Sequence, residues 1–508
     1  MSNRGFGWRS LAAGSVILLS LTGCVSKASV DGSAGSAGGD MPADFTEQEV
    51  KWEDCGEGLE CATVLAPLDW NNPDINGETV ELALMRKPST NPNPKGTLFL
   101  NPGGPGASGI EYLEYSDAAE TLLDEFNLAS WDPRGVGDSS AIECYTDKEL
   151  DDALFSVDPN DAEAGTQEWL DDVYAENQKM GAGCERHSGE LYKYVGTDST
   201  VQDLDLLREL VGDEKLNYLG FSYGTFIGAK YADRFPNKAG RLVLDGALDP
   251  TADTADVVAV QTKGFELALT NYLTACVEGD CWFDGTVDDG KKIIADMLAK
   301  VKAEPLTGSD RRQVGVDTLL TAIATPLYSE NNWPLLDDLF SEVLEGGADT
   351  ALYLADFYYS RDNEDGTYYD NSQQAFIAIN CLDYTQSKPD LAAMRADAEQ
   401  LAAAAPLFGP YQGYSDASCW GWPATAADTR TAVTGAGAPP IIVIGTTGDP
   451  ATPYEWAVAL SEQLESGTLL TFKGEGHTAY GGSSSCINNA VDSYFKTGAV
   501  PESGTVCD

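Results

Sequence analysis

Leu216-Asn217-Tyr218-Leu219-Gly220-Phe221-Ser222-Tyr223-Gly224-Thr225 decides how the rest of this chain is read. The stretch holds a G-x-S-x-G at 220–224, the one such pattern in the sequence, and its surroundings give it meaning. The run 216–219 predicts a strand, and residues 225–235 read as a helix that stops before Pro236. A serine at such a junction takes a strained turn that needs small neighbours and lifts its Oγ above a sheet. Ser222 is therefore the candidate nucleophile. The competing reading is a serine in an ordinary tight turn, and the presence of partners separates the two.

A nucleophilic serine needs a base, and the chain has only two histidines, His187 and His477. In enzymes built on this turn the order along the chain is Ser, then Asp or Glu, then His. His187 precedes the serine and is excluded by order. His477 lies in Gly474-Glu475-Gly476-His477-Thr478, just past a predicted strand at 468–472. The acid should follow the strand before that one. Ile441-Ile442-Val443-Ile444 runs into Gly445-Thr446-Thr447-Gly448-Asp449-Pro450, which nominates Asp449 to hold the His477 tautomer and stabilise its imidazolium. The oxyanion of an acyl-transfer intermediate needs two backbone N–H donors. Tyr223, just after the nucleophile, supplies one, and Gly104 in the glycine-rich 103–106 loop is expected to supply the other.

Further strands are predicted at 79–86, 96–100, 126–131 and 241–245, alternating with helical stretches. One of these covers 200–211, with Val201, Leu204, Leu207 and Leu210 on one face and Thr197 to Ser199 offering cap oxygens. The alternation predicts an α/β fold with a mostly parallel sheet and flanking helices. The rhythm stops from about residue 250 to 425, a helical stretch rich in aromatics, among them Trp282, Trp333, Phe357, Tyr358, Tyr359, Trp420 and Trp422. A lid inserted between late strands of one sheet accounts for it; a separate middle domain is the alternative.

With 81 Asp and Glu against 31 Lys and Arg, the formal net charge of −50 repels nucleic acid and anionic headgroups. At the start, Arg4 and Arg9 precede an apolar stretch, 11–21, too short to span a bilayer, and Leu21-Thr22-Gly23-Cys24 follows. That ending resembles a bacterial lipobox, which implies cleavage before Cys24 and lipidation of its sulfur. The next residues, rich in Ser, Ala, Gly and Asp, read as a flexible tether. Ten cysteines remain after Cys24, and an even number in an exported chain implies disulfides. Sequence does not fix their connectivity. Sequential clustering suggests Cys55–Cys61, Cys144–Cys184, Cys276–Cys281, Cys381–Cys419 and Cys486–Cys507. No CxxC occurs and two histidines are too few for a typical His-rich site, so no metal is expected.

Pro102-Gly-Gly-Pro-Gly106, Trp131-Asp-Pro-Arg-Gly-Val-Gly137, the serine turn and Gly448-Asp-Pro-Ala-Thr-Pro453 together resemble secreted tripeptidyl aminopeptidases. These belong to the prolyl aminopeptidase group of α/β-hydrolases, and the resemblance runs from about Trp52 to Cys507. Prolyl aminopeptidases carry His where Pro102 stands, so the likeness is to the tripeptidyl branch. It implies an α/β-hydrolase core in two parts, 49–250 and 426–508, with a lid at 251–425, after a signal peptide (1–23) and a lipidated tether (24–48). It implies an exopeptidase that needs no cofactor and acts on peptides with a free N-terminus, anchored outside the cell membrane. An aminopeptidase must bind a protonated α-amine. Asp383, in the lid stretch Asn380-Cys381-Leu382-Asp383, is the motif-based candidate, with a solvated or capping Asp as the alternative. Thr452, three residues past Asp449, is placed to hydrogen-bond near the triad and is a second substrate-binding candidate, and Arg134 is expected to pin its own turn. The motifs leave open an esterase, lipase or endopeptidase, or a binding lipoprotein without activity. They do not indicate an oligomeric state.

The lipobox predicts that the wild-type protein partitions with membranes, whereas Cys24→Ala releases or misprocesses it. Fractionation followed by mass analysis of the N-terminus checks this; an unmodified Cys24 on a soluble wild-type protein would contradict it.

Overall fold

The computed structural model describes residues 45–73, 77–158, 161–384, 386–425 and 430–508. Cys24, the expected signal peptide and most of the expected tether lie outside the described residues. The tether expected through residue 48 ends sooner, because Gln48 is bound to the sheet on both sides of its amide. Its Nε2 donates to the Leu65 carbonyl at 2.7 Å, and its Oε1 accepts from Leu65 N–H at 2.8 Å.

The chain opens with β1 (Glu53–Gly56), β2 (Leu59–Pro67), β3 (Thr79–Lys87) and β4 (Thr97–Asn101), then α1 (Gly109–Tyr115) and β5 (Asn127–Trp131). Helices α2 (Asp147–Phe155), α3 (Gln167–Ser188) and α4 (Thr197–Leu210) lead to β6 (Leu216–Phe221), α5 (Tyr223–Arg234) and β7 (Ala239–Asp245). Next come α6 (Thr254–Glu278), α7 (Val287–Ala303), a short hairpin of β8 (Leu306–Thr307) and β9 (Gln313–Val314), and α8 (Val316–Leu327). Helices α9 (Pro334–Glu345), α10 (Asp349–Tyr358), α11 (Ser372–Asp383) and α12 (Leu391–Ala404) complete the insertion. The chain then returns through β10 (Ile441–Gly448), α13 (Tyr454–Gln463), β11 (Gly467–Glu475), α14 (Ser485–Thr497) and β12 (Thr505–Cys507).

Ten strands form one sheet in the order β1-β2-β3-β5-β4-β6-β7-β10-β11-β12. The first three and the β3–β5 pair run antiparallel; every later neighbour is parallel. The core strands are apolar runs because parallel strands are covered on both faces. In β10 all of Ile441, Ile442, Val443 and Ile444 are buried, each worth about 1.5–3 kcal/mol of transfer free energy. β10 pairs directly with β7, so the whole 250–425 stretch is an insertion between two adjacent strands.

That insertion has a hydrophobic core of its own, built from residues of α6 to α10 with Leu407 and Phe408. Trp282 and Trp333 pack there as structural residues, while Phe357 and Tyr358 remain about half-exposed. Phe155 of α2 joins this core, and Asp151 of α2 receives two guanidinium bonds from Arg361, at 2.8 and 3.0 Å. Asn177 of α3 donates to the carbonyls of Ser418 and Trp420, both at 2.9 Å. The residues between β5 and α4 therefore pack with the insertion as well as with the sheet. All five cysteine pairs suggested by sequential clustering are formed.

Arg134 does pin its turn. It is fully buried, and its Nε and Nη2 bond both oxygens of the equally buried Asp203 at 2.6 and 2.7 Å. Its remaining donors reach the carbonyls of Pro67, Leu68 and Tyr194, so the fork is satisfied. This ties the turn after β5 to the end of β2 and to α4. Removing one partner leaves an uncompensated buried charge, so Asp203→Ala should cost about 3–5 kcal/mol in urea denaturation. A loss under about 1 kcal/mol would mean that water replaces the carboxylate.

Candidate active site

Ser222 falls between the last residue of β6 and the first of α5, with φ 53° and ψ −127°. Such a conformation costs a non-glycine residue about 1–3 kcal/mol and persists only where the surroundings over-determine it. Here they do. Ser222 N–H donates to the Asp245 carbonyl at 2.9 Å, while the Ser222 carbonyl accepts from Thr225 N–H and from its hydroxyl. The glycine-rich loop lies directly against this turn: a Cβ on Gly103 would come within 2.5 Å of the Phe221 carbonyl and 2.8 Å of Tyr223 N. Gly103 N–H is already given to the Asn101 side chain at 3.1 Å. Gly104 is the next amide along and is exposed, whereas Gly103 is buried. Tyr223 opens α5, where the first amides of a helix have no intrahelical acceptor. The loop expected to carry the second donor thus packs against the serine turn through Gly103, the neighbour of Gly104.

Asp449 directly follows β10 and is buried. His477 directs Nδ1 at both its oxygens, at 2.9 Å each, which leaves Nε2 as the free acceptor of the ring. The carboxylate is held by a ring of donors: the N–H groups of Ala451 at 2.9 Å, Thr452 at 2.8 Å and Thr478 at 3.2 Å, and the Thr452 hydroxyl at 2.9 Å. Thr452 is itself buried, with its hydroxyl 3.2 Å from His477 Nδ1. The hydrogen bond expected near the triad is made, and it is spent on Asp449 and His477 rather than on substrate. Thr452 braces the aspartate and the histidine from behind.

His477 is also fixed from the front. Its N–H donates to the Tyr328 carbonyl at 2.8 Å, and the Tyr328 ring stands edge-on to the imidazole with centroids 5.5 Å apart. Tyr328 follows α8, so the insertion contacts the histidine loop directly. Burial alone would depress the imidazolium, but the charge and hydrogen bond of Asp449, with Asp245 behind, hold its pKa above the ordinary value. His187 is exposed in the last turn of α3, as order along the chain required.

Asp383 departs from its expected place. The side chain is buried at the end of α11, and Oδ1 accepts Thr197 N–H at 2.9 Å while Oδ2 accepts the Thr197 hydroxyl. It caps α4 from across the insertion, where sequence had credited local oxygens; Gly196 at the N-cap contributes none. The Thr197 hydroxyl also meets the Tyr223 phenol, so a buried chain runs from the insertion to the residue beside the serine. A carboxylate spent in this way does not present itself to an incoming amine. Asn371 and Gln374 of the same segment were not anticipated. They bond the backbone at Gly135, Gly137, Ile142, Cys144 and Tyr145, docking α11 on the turn after β5. Nothing local in the sequence marks a side chain whose partners lie more than 200 residues away.

Two family models match the chain: "alpha/beta hydrolase fold" over residues 96–280 and "TAP-like protein" over 405–507. Serine protease Hip1 of Mycobacterium tuberculosis is 34% identical, with 98% of this chain and 97% of that protein aligned. A Mycobacterium tuberculosis protein named carboxylesterase B is 33% identical over 93% and 92% of the two chains. Tripeptidyl aminopeptidase of Streptomyces coelicolor is 28% identical over 90% and 86%.

Capping by Asp383 makes a prediction opposite to amine binding. Asp383→Ala leaves the buried Thr197 N–H without an acceptor and should cost about 1–3 kcal/mol of stability. Its effect on turnover should be the same for an acyl ester as for a free-amine tripeptide. A loss confined to the free-amine substrate would restore the amine role.

Proposed function

Because the chain belongs to the α/β-hydrolase family that includes Hip1 and the tripeptidyl aminopeptidases, we propose that it is an exported serine exopeptidase. Its substrates are extracellular peptides with a free N-terminus, from which it releases short peptides, tripeptides above all. The observation that carries the catalytic reading is the His477–Asp449 pair, set in one sheet with a serine held at positive φ.

In this reading Ser222 Oγ attacks the scissile carbonyl as His477 Nε2 takes its proton. Asp449 fixes the tautomer and stabilises the imidazolium. The N–H groups of Gly104 and Tyr223 stabilise the tetrahedral oxyanion. His477 returns the proton to the leaving amine, and water then hydrolyses the acyl-enzyme by the same route in reverse. Residues 251–425, with α2 and α3 against them, act as the lid over this centre. Lipidated Cys24 holds the enzyme at the outer face of the membrane.

An esterase is the second reading, supported by the relative named carboxylesterase B. Two measurements decide. Ser222→Ala should lower kcat by about 10⁴-fold or more with folding intact, since no neighbouring group replaces the nucleophile. Turnover surviving in that variant would end the triad reading. On the wild type, a free tripeptide chromogenic substrate should exceed its N-blocked form by about 10²-fold or more in kcat/KM, the usual effect of leaving a charged partner unpaired. Equal rates would indicate an endopeptidase, and a short acyl ester far outpacing both would indicate an esterase.

A further inference from the structure

One buried carboxylate beside the catalytic groups has no part in the mechanism above. Asp245 is the last residue of β7, fully buried, and β7 lies between the strand that carries Ser222 and the strand that precedes Asp449. Its backbone and its side chain face different parts of the site. The carbonyl accepts the N–H of Ser222 at 2.9 Å. Both carboxylate oxygens approach the N–H of Ala479, at 3.2 and 3.0 Å, and Oδ2 also accepts the N–H of Tyr480 at 2.7 Å. Ala479 and Tyr480 follow His477 by two and three residues. The histidine loop leaves β11, two strands beyond β7 in the sheet, so nothing in the ladder itself sets its height over the serine. Asp245 supplies that link.

We propose that Asp245 is a positioning residue of this site: its ionised carboxylate clamps the histidine loop to the strand bonded to the nucleophile and keeps a second negative charge beside the imidazole. The inference rests on the triad reading given above.

The clamp comes at a cost in stability. Burial is the largest influence and, with Asp449 nearby, pushes the Asp245 carboxyl up to about 6 against the opposing bonds from Tyr480 and Ala479. A carboxyl whose folded value lies above its unfolded one loses stability as pH rises between the two, so ionised Asp245 costs the fold something at neutral pH. A purely structural acceptor would be better served by a neutral amide. Its charge does act on the site, since it is among the influences that raise His477. The groups facing Asp245 are Asp449 after β10, His477 beyond β11, and Tyr112 of α1, whose phenol burial keeps protonated with Asp245 adding to the effect. No Lys or Arg forms an ion pair with it among the described residues.

Asp245→Asn separates charge from shape, because one amide oxygen in the Oδ2 position still accepts from both Ala479 and Tyr480. The variant should keep or raise its Tm. The acid limb of its kcat/KM profile should move to lower pH, because His477 loses a neighbour that favours its charged form, and kcat should fall about tenfold with KM nearly unchanged. Asp245→Ala, which also removes the clamp, should lose about 10²-fold in kcat on ester and peptide alike. An acid limb and kcat in Asp245→Asn that match the wild type would overturn the proposal, as would an upward shift of that limb. If the variant does not fold, the wild type decides: its acid limb must carry a second step of about tenfold besides the titration of His477, and a limb described by a single protonation refutes the assignment. Ser222→Ala is measured in parallel. Turnover retained there removes the triad reading itself, and this inference with it; turnover abolished there but unchanged in Asp245→Asn removes only the inference.

Discussion

The strained turn at Ser222 is the constraint to which the rest of the structure answers. A side chain at φ 53° is stable only when its backbone has no alternative, and three independent elements remove the alternatives. β7 accepts its N–H, α5 claims its carbonyl, and the 103–106 loop presses on the turn so closely that only glycine fits at 103. β6 has β4 on one side and β7 on the other, so the turn projects from the middle of the sheet. The same crowding sets the 103–106 loop, which carries the proposed donor Gly104, against the turn. In the proposed mechanism the nucleophile and the oxyanion donors are therefore set together, by the close approach of the loop after β4 to the turn after β6.

The insertion is part of this arrangement and not merely a cover. It touches the site by several polar contacts: Tyr328 holds the N–H of His477, Gln261 of α6 donates to the Ala451 carbonyl at 2.7 Å, and Asp383 reaches the Tyr223 phenol through Thr197. It is stapled to the rest of the molecule by the Arg361–Asp151 pair and by the side chains of Asn371 and Gln374. The Cys381–Cys419 bridge closes a loop within it, and Cys144–Cys184 ties the turn after β5 to α3. Such cross-links act mainly by restricting the unfolded chain. A separate hydrophobic core lets the insertion fold as a layer, while the polar contacts fix where that layer sits.

What the sequence made legible follows the range of each signal. The central strands were readable because both their faces are buried, so they appear as continuous apolar runs. β1, β2 and β12 were not: β1 and β12 are edge strands, β1 exposed along its whole length, and β2, though paired on both sides, buries mainly small residues such as Ala62, Val64 and Ala66. Ser222, Asp449 and His477 were readable because each sits just past a strand, at a fixed place in a chain order. Thr452 was legible as a hydrogen-bonding neighbour of the triad, but its three-residue spacing from Asp449 did not show that its hydroxyl turns to Asp449 and not to substrate. At Asp383 the capping alternative is the one found, but its partner could not be read. A capping carboxylate is ordinarily sought within a few residues of its helix, and here it is 186 residues away from Thr197. Asn371, Gln374 and Asp245 belong to the same class of long-range polar contact, which no local periodicity reveals.

Charge bookkeeping explains how so acidic a chain can build such a centre. Cations are scarce, and the buried Arg134 and Arg208 are committed to Asp203 and Asp205, as the half-buried Arg312 and Arg361 are to Asp356 and Asp151. Among the described residues, neither Asp245 nor Asp449 has a Lys or Arg partner. Both are satisfied instead by backbone N–H groups and, at Asp449, by the Thr452 hydroxyl. Hydrogen bonds from fixed dipoles meet the solvation needs of a buried carboxylate but do not neutralise it. The cation this pair awaits is the imidazolium of His477, which in the proposed mechanism exists while the serine is attacking. Guanidinium partners in the same places would have quenched the carboxylates before the reaction began. The scarcity of basic residues around the histidine is thus what leaves its environment organised for the charged state it must reach.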